Sequence, residues 1–343
     1  MSLLLSKIFL APYYLTLKVR NSLYDNGTFT STHYDIPIIC IGNVTAGGTG
    51  KTPMTEYIAK YLSREKRVAV LSRGYKRKRR GYIVVDENDN AKMVGDEPLQ
   101  IKRKFPEVTV AVCKNRNYAI NRLLALSENE RPEVIILDDA LQHRSVSPSK
   151  TIALISYNRP VFKDNLLPIG KLRDLPNQIR RAQTIVITKS PGELDQWERE
   201  KAELVNKVRK DQLLLFSTIN YLLPQPVFKD SGNARYIYSK EVVLLTGIAE
   251  NKPLINYLIG SYDTIHTISL GDHHNFTRSD IRNLRHISRK YSRALLLTTE
   301  KDAQRLQGNR FVSDELKQKL FYLPIEIQFL TPEEDAQFRQ FIQ

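Results

Sequence analysis

Ile38-Ile39-Cys40-Ile41-Gly42-Asn43-Val44-Thr45-Ala46-Gly47-Gly48-Thr49-Gly50-Lys51-Thr52-Pro53 is an apolar run, a glycine-rich turn and a Lys-Thr-Pro triplet in immediate succession. That order predicts a strand, a phosphate-cradling loop and the start of a helix. Glycines let backbone N–H groups turn inward around phosphate oxygens, and a helix N-terminus adds partial positive charge at the same point. Lys51 is then placed to reach the β- and γ-phosphates of a nucleoside triphosphate, and the Thr52 hydroxyl to bind Mg²⁺. Pro53 suits a first helical turn, where no N–H is required. From Thr45 through Ala46, Gly47, Gly48, Thr49, Gly50 and Lys51 to Thr52 the spacing is that of a Walker A loop, with Thr45 where the first glycine usually stands.

A second piece of the same chemistry follows downstream. Val134-Ile135-Ile136-Leu137-Asp138-Asp139 is an apolar strand ending in two carboxylates. An aspartate at the tip of a strand beside the P-loop orders a Mg²⁺ shell. Asp138 and Asp139 are the expected metal residues, with Thr52.

Further strands are expected at Arg67–Ser72, Val108–Val112, Thr151–Ser156 and Thr184–Thr188, with helical stretches at Pro53–Arg64, Pro98–Lys104 and Arg116–Ser127. Strands alternating with helices predict an α/β fold, a P-loop parallel sheet covered on both faces. Around Leu213–Tyr238 the pattern changes to two extended runs flanking a turn-rich patch, which reads as a two-stranded connector. Alternation resumes at Val242–Thr246, Thr264–Leu270 and Ala294–Thr298. The expected division is a helix over 1–24, a nucleotide-binding domain over 25–212, the connector over 213–238 and a smaller α/β domain over 239–343.

Composition narrows the partners. The 343 residues carry a formal charge of +15, so an acidic partner is expected: nucleic acid, an anionic membrane or a phosphorylated substrate. At 41% hydrophobic and 26% charged the chain is no disordered tail. Cys40 and Cys113 each lie in an apolar run with no metal spacing, which makes them small core residues. In the first 24 residues Leu4, Leu5, Ile8, Phe9, Tyr13, Leu15 and Val19 form a broad apolar face interrupted by Ser6, Lys7, Thr16 and Lys18. That is too broken for a spanning helix and suits one lying on or dipping into a bilayer. The basic run Arg73, Lys76, Arg77, Lys78, Arg79 and Arg80 suits anionic headgroups.

Taken together, the motifs resemble the tetraacyldisaccharide 4′-kinase family of lipid A biosynthesis over nearly the whole chain. The resemblance rests on Gly42 to Pro53, Ser72-Arg73-Gly74-Tyr75, Gly95-Asp96-Glu97-Pro98, Leu137-Asp138-Asp139-Ala140-Leu141-Gln142-His143-Arg144, Leu167-Pro168-Ile169-Gly170-Lys171-Leu172-Arg173-Asp174, Asp272-His273-His274 and Thr299-Glu300-Lys301-Asp302. Thr45 is normal in that family. Four positions depart from its pattern: Ala140-Leu141 stand for Gly-Phe, Lys171 for proline and Asp174 for glutamate.

The resemblance implies transfer of the γ-phosphoryl of ATP to a sugar hydroxyl of a lipid-linked disaccharide on the cytoplasmic face of the inner membrane, by a peripheral or monotopic protein on an anionic lipid surface. It implies Asp96 as the base and His273 as its partner from the second domain. Arg116 and Arg173 become candidates for clamping phosphates. Glu97, Asp139 and Asp174 are second-tier metal or substrate ligands, and Tyr75, His143 and His274 lie near the site.

Other P-loop readings fit less well. A dimerising ATPase of the deviant Walker type wants lysine where Ala46 stands. A GTPase wants Asn-Lys-x-Asp, and Thr188-Lys189-Ser190-Pro191 lacks the aspartate. No recognition helix, zinc or RNA-binding signature supports nucleic acid as the partner.

Overall fold

Strands that are apolar at every position need cover on both faces, and the central strands here have it. The computed structural model describes residues 3–229, 232–248, 251–272 and 274–343. Its larger sheet contains β1 (Ile38–Gly42), β2 (Val68–Ser72), β3 (Ile83–Val84), β4 (Thr109–Val112), β5 (Val134–Leu137), β6 (Lys150–Ser156), β7 (Thr184–Thr188) and β8 (Leu213–Tyr221). A smaller sheet holds β9 (Gln225–Pro226), β10 (Glu241–Thr246), β11 (Thr264–Ser269), β12 (Leu295–Thr299) and β13 (Leu320–Leu323). The last strand, β14 (Ile325–Phe329), returns to the larger sheet, whose order is β14-β8-β7-β6-β1-β5-β2-β4-β3.

Every residue of β1, β2, β5 and β7 is buried. The pleat sends Ile39 and Ile41 to one face, against Met54 and Ile58 of the helix Lys51–Leu62. It sends Ile38 and Cys40 to the other, against Ala119, Ile120 and Leu123 of the helix Arg116–Leu124. Both cysteines are free and buried, as their apolar context predicts. The core of the sheet is parallel, with β3 and β14 as antiparallel edges. β1 lies between β5 and β6, so the chain leaves it in one direction and later fills the other side. Such a switch point opens a crevice at the carboxyl ends of the strands, and the loop after β1 sits there.

The two extended runs expected to form a connector over 213–238 do not pair with each other; the strands there pair with strands from near the C-terminus. Residues 217–221 pair antiparallel with 325–329, the Leu222 N–H donates to the Pro324 carbonyl, and Gln225–Pro226 pair with Phe321–Tyr322. One continuous ribbon therefore joins the sheets, and its return strand comes from a hundred residues downstream. The C-terminal helix Pro332–Ile342 then packs Phe338 and Ile342 beside Met54 and Ile58. Residues 325–343, expected in the second domain, thus complete the core of the first.

The N-terminal helix Leu3–Asp25 buries Leu17 and Asn21 and exposes Tyr13, Tyr14, Leu15 and Val19. Among the described residues no helix is long and apolar enough to cross a membrane.

Candidate active site

The P-loop turns at Gly47 (φ 89°) and Gly50 (φ 82°), left-handed conformations that glycine adopts without strain. Gly50 caps the helix Lys51–Leu62, so Lys51 and Thr52 open its first turn as the motif requires. Asn43, fully buried, donates to the Thr49 hydroxyl at 2.6 Å, and Thr188 at the end of β7 donates to the Thr49 carbonyl at 2.9 Å. The loop is thereby fixed before any phosphate arrives. A Cβ on Gly48 would stand 3.3 Å from the Lys189 ammonium, which brings that lysine over the loop.

Asp138 and Asp139 follow β5 but face different partners. Asp138 is buried, accepting from the Thr55 hydroxyl at 3.3 Å and the Ser72 hydroxyl at 3.2 Å. Burial, with Glu97 and Asp139 nearby, pushes its carboxyl up to about 6, while Lys51 and the Ser72 hydroxyl pull the other way. Asp139 takes a left-handed backbone (φ 51°), which aims its carboxylate at Arg173 and at Lys51, whose ammonium is 3.8 Å away. Burial raises the Asp139 carboxyl, but the Arg173 hydrogen bond and the Lys51 charge outweigh it and hold it at about 2.

Arg173 grips both carboxylate oxygens of Asp139 and donates to the Asn43 side-chain oxygen at 2.5 Å. Its strand-like segment lies against the P-loop: the Ala46 N–H donates to the Lys171 carbonyl at 2.6 Å and the Arg173 N–H to the Val44 carbonyl at 2.8 Å. Arg116 is 1% exposed and donates from one nitrogen to the Cys113 carbonyl at 2.6 Å. Its other two nitrogens have no partner among the described residues. Burial pulls the guanidinium down to about 10 against the opposing charge of Asp138. His143 is pushed down to about 4 by burial and by Arg116 and Arg73, so its imidazole is neutral at neutral pH.

Lys51, Thr52, Asp138, Asp139, Arg116, Arg173, Glu97 and His143 are thus brought to one end of the sheet. Other expected residues fall elsewhere. Asp174 is 1% exposed and accepts from the Asn21 side chain at 3.1 Å and from the Leu175 N–H at 2.8 Å. Its short carboxylate is turned to the N-terminal helix, away from the ligand role expected of it. His274 is held by Asp280 at 2.8 Å, in the cap of the helix Arg278–Lys290. His273 lies outside the described residues.

Asp96 starts the helix Asp96–Lys104 and is ion-paired with Arg305, while Glu97 is ion-paired with Lys301. Lys301 lies in the Thr299-Glu300-Lys301-Asp302 motif and Arg305 one turn beyond it, and nothing local marks a surface lysine or arginine as a partner for a carboxylate two hundred residues away. Asp96 and Arg305 line a cavity of about 510 Å³ between the two units, with Tyr75, Lys76, Lys78, Lys92 and Arg310 also on its wall. The basic run is therefore divided: Lys76 and Lys78 face this cavity, while Arg77 folds back onto the Gly81 carbonyl at 2.6 Å.

Comparison with known proteins agrees over the full length. The family model described as LpxK, tetraacyldisaccharide-1-P 4′-kinase, matches residues 2–343. A protein named tetraacyldisaccharide 4′-kinase from Bacteroides thetaiotaomicron is 40% identical over 96% of this chain and 90% of its own length. One of the same name from Flavobacterium johnsoniae is 40% identical over 96% of this chain and 94% of its own. A crystal structure of the "apo" form of LpxK from Aquifex aeolicus in complex with ATP superposes with a TM-score of 0.74 at 27% identity, covering 98% of this chain and 97% of that one. The P-loop, the paired aspartates after β5 and the full-length match lead to one statement: this chain belongs to the tetraacyldisaccharide-1-P 4′-kinase family.

Proposed function

We infer that the chain transfers the γ-phosphoryl group of ATP to the 4′-hydroxyl of tetraacyldisaccharide 1-phosphate, the step that gives the 4′-phosphorylated lipid A precursor. The observation that carries this reading is the meeting of Lys51, Asp139 and Arg173 at the P-loop of a chain that matches the kinase family throughout. Phosphoryl transfer needs positioned phosphates, positive charge on the transferring oxygens and an acceptor for the hydroxyl proton. The P-loop amides and Lys51 serve the first need, and Lys51 with Arg116 and Arg173 the second. Arg116 has two unoccupied donors for phosphate oxygens.

Asp96 is the group we assign to the proton. It sits 8% exposed on the wall of the inter-domain cavity, where Arg305 fixes its direction. In the reaction the sugar oxygen bonds to the γ-phosphorus, the bond to the β,γ-bridging oxygen breaks and ADP leaves with that electron pair. The sugar proton passes to Asp96. His273 is proposed as the partner that supports Asp96 when the cleft closes. Once the Asp96–Arg305 pair is set aside, Lys76, Lys78, Lys92 and Arg310 leave the cavity strongly cationic, which suits a phosphorylated disaccharide.

The donor set also fits Mg²⁺. Asp138 and the buried Thr52 hydroxyl are hard oxygen donors, and the Ser72 and Thr55 hydroxyls hold the carboxylate in place. Mg²⁺ at these residues would neutralise charge on the β- and γ-phosphates. We place the protein on the cytoplasmic face of the bacterial inner membrane, where ATP and a lipid-linked acceptor meet. Its N-terminal helix would lie on the bilayer through the exposed Tyr13, Tyr14, Leu15 and Val19. Incubation with ATP, Mg²⁺ and tetraacyldisaccharide 1-phosphate tests the reading: mass spectrometry should show gain of one phosphate on the lipid, and none would overturn it.

A further inference from the structure

We propose that Asn21, on the N-terminal helix, is a positioning residue for the Arg173–Asp139 pair, so that this helix is part of the phosphoryl-transfer machinery and more than a membrane contact. The path is continuous. Asn21 is 3% exposed and donates to the Asp174 carboxylate at 3.1 Å. The preceding residue, Arg173, is held at both ends of its peptide unit: its N–H donates to the Val44 carbonyl at 2.8 Å, and its carbonyl accepts from the Tyr13 hydroxyl at 2.9 Å. From that backbone the guanidinium reaches Asp139 at 2.8 Å and Asn43 at 2.5 Å, and Asn43 in turn holds Thr49 of the P-loop.

A second tie reaches the other side of the same centre. Arg144 donates to the Asn21 carbonyl at 2.9 Å, Arg20 donates to the Gln142 carbonyl, and Gln142 donates to the Asn43 carbonyl at 2.8 Å. The helix therefore touches both the segment that carries Arg173 and the loop that carries Asp139.

The arrangement matters because Asp139 stands at φ 51°, a conformation costing on the order of 1 kcal/mol for a side chain other than glycine and kept only where the surroundings impose it. The Asp138 and Ala140 N–H groups, donating to the Leu71 and Ile41 carbonyls, hold the backbone on either side, and Arg173 meets the carboxylate that results. Buried polar pairs give direction where apolar contact gives only adhesion, and here Leu17 with the partly buried Leu10 supplies the adhesion. Asn21 and Tyr13 add the register, fixing where the Arg173 guanidinium emerges.

The test rests on the kinase reading, and wild-type turnover of the lipid checks that reading separately. Asn21→Leu keeps the side-chain volume and removes the donor. It should lower kcat about tenfold, the value of a hydrogen bond to a charged group, with the KM for tetraacyldisaccharide 1-phosphate changed by less than about twofold. In an Arg173→Ala background the same substitution should change kcat by less than about twofold, because the element it orients is gone. Tyr13→Phe, at an exposed position, should lower kcat about threefold with the same dependence on Arg173, and it decides the matter if Asn21→Leu fails to fold. An effect confined to the lipid KM, or an undiminished loss of kcat in the Arg173→Ala background, would overturn the proposal.

Discussion

Arg116 is a buried cation whose hydrogen-bonding groups the described residues satisfy only in part. It is 1% exposed, and two of its three guanidinium nitrogens have no partner among the described residues. Burial, only partly offset by Asp138, pulls it from 12.5 down to about 10. At about 1.4 kcal/mol for each tenfold change, that amounts to roughly 3 kcal/mol against the charged form. The guanidinium stays charged throughout the working pH range, so this cost is present in full at neutral pH. Replacing Arg116 by Met removes this cost at similar volume. It also removes the bonds to the Cys113 and Lys114 carbonyls, at 2.6 and 3.4 Å. Those two bonds together return about 1–2 kcal/mol.

Arg116→Met should therefore stabilise the ligand-free protein by about 1–2 kcal/mol, raising Tm by roughly 2–4 °C per kcal/mol in a domain of this size. Turnover should fall about 10²–10³-fold, because a preorganised cation beside the transferring charge is lost. Urea unfolding and single-turnover assays on the two proteins read both effects. The stabilisation conferred by ATP with Mg²⁺ should be larger in the wild type, where phosphate oxygens supply the missing partners. A Met variant more than about 1 kcal/mol less stable than wild type, with turnover within about twofold, would show that Arg116 is a structural strut and refute the reasoning.

Three other outcomes follow from the same geometry. Lys51→Ala should lower turnover by about 10³-fold or more while the melting temperature stays near wild type, since a loop lysine 3.8 Å from Asp139 adds little to the core; near-normal phosphorylation by the purified variant would remove the P-loop assignment. Gly42→Ala would place a Cβ 2.5 Å from the Leu141 Cβ and 2.7 Å from its backbone nitrogen, so urea unfolding should show a loss of about 1–3 kcal/mol, and an unchanged midpoint would contradict that packing. Glu300 is lifted to about 7 by burial and by Glu56, despite Lys104, so its protonated form is the one the fold prefers. Wild-type stability should then fall as pH rises from about 4.5 through about 7, and Glu300→Gln should gain on wild type between pH 5 and 8; a constant gap between the two unfolding curves would exclude it.

The parts of the protein legible in its sequence are those whose cause is local. A Walker loop needs glycines at the turns and Lys-Thr at the helix start, and each of those residues is where the motif puts it. The apolar strands announce themselves because both faces are buried. What the sequence hides is choice of partner. Leu213–Tyr221 reads as a strand from its own residues, yet its antiparallel mate is chosen by tertiary packing from Ile325–Phe329. Asp174 carries a charge in a motif, but the Asn21 that claims it lies 153 residues away. Lys301 and Arg305 look like ordinary helix-surface cations until the second unit carries them onto Glu97 and Asp96.

That hidden pairing has a mechanical consequence. Because the chain leaves the larger sheet along β8 and re-enters along β14, the two units are joined by paired strands and not by a single flexible linker. Lys104 sits where that ribbon meets the larger sheet. It bonds Glu56 on the P-loop helix at 2.7 Å, Glu300 at 3.2 Å and the Ile325 carbonyl at 3.3 Å. Glu300 and Lys301 are adjacent, and Lys301 holds Glu97 beside Asp138. Lys104, Glu300 and Lys301 therefore tie the helix after β12 at once to the end of the ribbon, to the P-loop helix and to Glu97.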